Sequence, residues 1–115
     1  MFISLGFVTV PNPGTPVSVT VNGDDPAANP GNLTHVQSII IEALAGNTGK
    51  VYVGNSPTFN KTTGVGVIGI IVAPSSVLPS WAAASPGGQN AIALNQIYID
   101  TDNPGEGALV SAMVV

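Results

Sequence analysis

Three segments carry residue types and spacings that could do chemistry, and each also has a purely structural explanation. Residues 100–106 set Asp100, Asp102 and Glu106 around Pro104 and Gly105, and alternating acidic oxygens ahead of a glycine are the ligands a hard cation prefers. A helix-flanked calcium loop would need Asn or Asp at Pro104 and a bidentate Glu at Ser111. Both requirements fail, so Pro104-Gly105 reads as a hairpin turn with acids that supply solvation. The three acids remain the one candidate metal set, in a stabilising role. Gly64, Gly66 and Gly69 complete the spacing G-x-G-x-x-G. A dinucleotide site needs that motif to open a helix, whereas here Ile70, Ile71, Val72 and Ala73 lead to Pro74, so the glycines are expected to allow a bulge or close packing in a strand. His35 is the only histidine, with no second histidine, cysteine or obvious acid to make it a ligand or base.

The remaining chemistry is excluded on similar grounds. There is no G-x-S-x-G elbow and no phosphate-binding loop, and Glu42 has no second carboxylate to form a glycosidase pair. With no cysteine, disulfides and thiolate chemistry are ruled out. The chain is expected not to be an enzyme and to take no cofactor. The one tryptophan, Trp81, either fills a pocket on a partner or plugs the end of its own fold with its amphipathic ring.

Composition points elsewhere. Two lysines, no arginine and six acids leave 7% of 115 residues charged and a net charge of −4. An ordinary domain is about a quarter charged, and charged surface is what keeps folded monomers apart. The hydrophobic fraction is 44% and the mean hydropathy is positive. Such a chain is expected to cover itself with other protein. Two lysines cannot neutralise a run of phosphates or grip anionic lipid, so neither nucleic acid nor a membrane surface is an expected partner. The apolar start lacks the basic residues and cleavage site of a signal peptide, and the run 64–73 is half the length of a membrane helix.

These residues must be positioned by strands. Fourteen glycines and ten prolines punctuate short runs rich in Val, Ile and Thr, the pattern of strands between turns. Residues 15–22 alternate, with Val17, Val19 and Val21 on one face and Ser18, Thr20 and Asn22 on the other. Residues 49–55 do the same with Val51 and Val53, follow a turn at 46–49, and take 36–43 as hairpin partner. The run 65–72 is apolar on both faces and suits a strand in the middle of a sandwich or at a subunit contact. Residues 96–100 and 108–115 form a second hairpin, the last run completing a sheet. With residues 2–10 this gives about 7–8 strands in a single domain spanning 1–115, expected to be an all-β antiparallel sandwich of jelly-roll type. Residues 24–32 and 74–90 read as loops, the second long enough to suggest a role, and 91–95 as one helical turn capped by Asn90.

Residues 43–54, with Gly46, Asn47, Thr48, Gly49, Lys50, Val51 and Tyr52, and residues 95–111, with Tyr98, Asp100, Asp102, Asn103, Pro104, Gly105 and Glu106, resemble small virion structural proteins of tailed bacteriophages. The resemblance covers about half the chain and rests on two turns, with no catalytic signature. It implies a β-rich decoration or cement protein that forms a trimer on the capsid surface, with the major capsid protein as partner. By analogy, contacts would come from an N-terminal arm, residues 1–13, and the loop 74–90, through Phe2, Ile3, Leu5, Phe7, Leu78 and Trp81. A tail, baseplate or head-fibre component would share this composition. A carbohydrate-binding adhesion module would instead stack sugars on Trp81, Tyr52 or Tyr98, although six aromatic residues in all make a sparse platform.

Overall fold

The computed structural model describes residues 2–20, 34–72 and 80–115. Ten strands follow in order: β1 (Phe2–Thr9), β2 (Val17–Ser18), β3 (His35–Val36), β4 (Ser38–Ala43), β5 (Val51–Gly54), β6 (Val67–Ile71), β7 (Ser80–Ala84), β8 (Ile92–Ala93), β9 (Tyr98–Thr101) and β10 (Gly107–Met113). Eight of them build two four-stranded antiparallel sheets, β1-β10-β4-β7 and β2-β9-β5-β6, and β3 pairs with β8 at the side. This strand order is a jelly roll, two interlocked Greek keys wrapped into a sandwich.

The chain changes sheet at almost every connection, and only β5 and β6 pair as sequence neighbours within a main sheet. Both expected hairpins are therefore corrected. Residues 36–43 and 49–55 separate, β4 pairing with β10 and β7 while β5 pairs with β6 and β9. Strands β9 and β10 likewise lie in different sheets. The turns at 46–49 and 102–105 exist, but each carries the chain across the roughly 10 Å between packed sheets instead of folding it back. The final run does complete a sheet, with β10 in the interior between β1 and β4.

The core forms where the inward faces meet. Leu5, Val8, Ile39, Ile41 and Val110 from one sheet are buried against Val51, Val53, Ile71 and Ile99 from the other. The alternation expected at 15–22 holds at Val19, fully buried, with Val17 packed on the core, though only Val17–Ser18 pairs as a strand; Val21 and Asn22 lie outside the described residues. The loop expected at 74–90 is partly strand, since β7 pairs with β4 and sets Trp81 opposite Ile41. The loop expected at 24–32, like 73–79, lies outside the described residues. The helical turn falls at Leu94–Gln96 with no side-chain cap, and Asn90 instead bonds Val115, accepting from its backbone N–H at 3.0 Å. Of the expected arm 1–13, residues 2–9 are a sheet strand, β1, registered against β10 from Phe2 to Thr9.

Candidate assembly surface

The residues singled out for chemistry are placed structurally. His35 is exposed on β3, its Nδ1 3.0 Å from the Thr34 hydroxyl. The glycine motif opens no helix. Gly64 and Gly66 adopt φ of +83° and +79° in the turn entering β6, where the β5 register shifts by a bulge. Gly69 is crossed by the Trp81 indole, and a Cβ there would stand 2.3 Å from its Cδ1. Trp81 is thus half-buried at the open side of its own sandwich, and the close approach requires glycine.

The three acids do not converge. Asp100, 1% exposed, accepts the Gly14 N–H on both oxygens at 3.0 and 3.1 Å and the Thr101 N–H at 2.8 Å. Its Oδ1 is 3.9 Å from the Lys61 ammonium, which donates to the Thr101 carbonyl and lies 5.8 Å from the Tyr52 ring centroid. Asp102 accepts the Lys50 N–H at 2.9 Å and the Tyr52 hydroxyl at 3.0 Å. Burial, followed by that bond to Asp102, raises the Tyr52 pKa above its usual value. Glu106 accepts the N–H groups of Thr48 and Gly49 at 2.8 and 2.9 Å, and these bonds hold its carboxyl below the ordinary range. Among the described residues no group of three His, Cys, Asp or Glu side chains could hold a metal ion. A cleft of about 430 Å³ opens between Gly14 and Lys61, but Asp100 and Lys61 in its wall are already engaged with backbone and each other.

These bonds tie the two sheet-crossing turns together at one end of the sandwich. Asn47 reinforces them, its side-chain amide donating to the Gly107 carbonyl at 2.7 Å and accepting the Gly107 N–H at 3.2 Å. The two segments on which the phage resemblance rests therefore lie side by side.

The outer face of the sheet β1-β10-β4-β7 is different in kind. Its outward positions form rows across the strands, set by the register: Phe2, Met113, Ser38 and Ala84; Ser4, Ser111, Ile40 and Ala82; Phe7, Leu109, Glu42 and Ser80. Glu42 is the only charge among them. A bulge between Ser4 and Gly6 makes this face, because strict alternation from Phe2 would turn Phe7 inward and Val8 outward. With Gly6 at φ +83°, a conformation that favours glycine, Leu5 and Val8 both enter the core and Phe7 points outward, 61% exposed. Phe2 is 86% exposed.

Of the proposed contact residues, Phe2 and Phe7 lie on this face. Leu5 is corrected to a core residue and Ile3 packs against the core. Leu78 lies outside the described residues. Ile40, Leu109 and Met113 were not singled out, although apolar residues of both parities at 38–43 and 107–113 signalled them. Of the two placements expected for the run 65–72, the middle of a sandwich is corrected: among the described residues β6 is an edge strand. Ile71 is buried, while Val65, Ile68, Ile70 and Val72 are exposed. Tyr52 and Tyr98 share the other sheet, apart from Trp81.

No protein-family model, curated protein or solved structure matches the chain.

Proposed function

We propose that this protein is a structural subunit of a phage virion, a capsid decoration or cement protein that associates with copies of itself and binds the major capsid protein of the assembled shell. The observation that carries the reading is the outer face of β1-β10-β4-β7, a sheet surface with one charge and two exposed phenylalanines. Contiguous apolar surface of this kind marks interaction sites. The exposed apolar strip on β6 offers a second contact, which suits a subunit that touches both its copies and a shell. Jelly rolls build viral coats as well as lectins, a fold-level analogy. Binding only the assembled shell would stabilise it by mass action. No catalysis is assigned.

Mass spectrometry and imaging of purified particles test the reading. The protein should be present in many copies on heads, and heads lacking it should open at lower temperature. Copies confined to the tail would assign it to the tail or baseplate, and absence from particles would overturn a virion role.

A further inference from the structure

The outer face of β1-β10-β4-β7 has relief as well as low charge. One margin is a ridge, Phe2 and Phe7 on β1. The other is a trough, Ser80, Ala82 and Ala84 on β7. Three strand spacings separate them, about 14 Å. Between them lies a dent of about 40 Å³ edged by Phe2 and Ile40 and floored by Ser111 and Ala112.

We infer that this face packs on the same face of a second copy, about a two-fold axis running along the strands. This rests on the self-association proposed above and names the surface and symmetry. Rotation about such an axis lays β1 of one copy over β7 of the other and keeps the rows in step. Phe2 then covers Ala84, Phe7 covers Ser80, and the second copy's Ile40 lies over Ser111 at the dent. An axis across the strands would stack ridge on ridge. Self-complementarity of this kind is what a two-fold contact requires.

The area agrees with a second copy as occupant. Four strands of five to eight residues make a footprint of about 400 Å², of which seven of the twelve outward side chains named above are apolar. Two such faces, with the relief of the phenylalanines added, approach the roughly 1,200 Å² at which specific interfaces begin. The pair is therefore expected to dissociate at concentrations on the order of micromolar. Each copy brings one charge, Glu42, into the contact, and the axis sets the two carboxylates in the same row one strand apart across it, so added salt should strengthen the pair by screening their repulsion and Glu42→Gln should tighten it.

The test uses the full chain in sedimentation from nanomolar to several hundred micromolar, together with the cysteine pair Ser4→Cys and Ala82→Cys. The two positions are too far apart within one sheet for a disulfide, so a bond can form only between copies, across a gap that disulfides between packed sheets do span. A species of twice the 11.5 kDa chain mass, an oxidised pair in the double variant but not in either single one, and at least a tenfold loss of affinity in Phe7→Ser are the expected results. Ala82→Glu, an exposed substitution, should weaken the pair equally without disturbing the fold. A trimer, or a dimer indifferent to these changes, would overturn the face and axis while leaving self-association standing. A monomer at every concentration would overturn both.

Discussion

The end of the sandwich holding residues 44–50 and 102–107 and the outer face of β1-β10-β4-β7 use their side chains in opposite ways. At the first, Asn47, Asp102, Asn103 and Glu106 are all bonded within the chain, and among the described residues no buried side-chain nitrogen or oxygen lacks a partner. At the second, large apolar side chains stand in solvent with their own core already closed beneath them. The acids and amides of that end therefore serve the fold itself, whereas the outer face presents large apolar side chains among serines and a single carboxylate. An acidic turn that looks like a ligand site in the sequence is the more self-contained of the two regions.

Four experiments break or sharpen this contrast. The largest effect is expected from Asp100→Ala, which leaves the Gly14 and Thr101 N–H groups without their acceptor and the Lys61 ammonium without its counter-charge; urea unfolding should show a loss of about 3 kcal/mol. Asn47→Ala removes two bonds from a buried site and should cost about 2 kcal/mol by the same measurement. Glu106 then tests the acid sensitivity of the turns. Its folded-state pKa is depressed by the Thr48 and Gly49 amides, so its stabilisation is complete above the ordinary carboxylate range and is lost as pH falls through the depressed value. The stability gap between the wild-type chain and Glu106→Gln should accordingly narrow on acidification below that range. Smallest of all, Phe7→Ser should move the stability of the dilute monomer by no more than about 0.5 kcal/mol. A loss there as large as that of Asn47→Ala would mean that the outer face serves the fold after all.

The all-β class and the antiparallel sandwich were legible because glycine and proline bracket runs of alternating Val, Ile and Thr. Strand partners were not. Asn47-Thr48 and Asn103-Pro104 announce turns, and the same turn chemistry serves a hairpin within one sheet or a crossing between two. Strand β7 was hidden because Ser80, three alanines and nearby prolines are poor strand formers, and pairing with β4 overrides that preference. The acids were visible but their partners were not, since the amides bound by Asp102 and Glu106 lie 52 to 58 residues away in sequence. The exposure of Phe7 depends on a one-residue bulge at Gly6, and a glycine inside a strand run was its only sign.

Strand β1 lies beside β10, so β1 is made well before the strand it pairs with along its length. Folding must therefore bring together segments more than a hundred residues apart, which slows two-state β proteins to milliseconds or seconds. During synthesis Phe2, Leu5 and Phe7 emerge long before their neighbours exist, an interval in which newly made chains are most prone to aggregate.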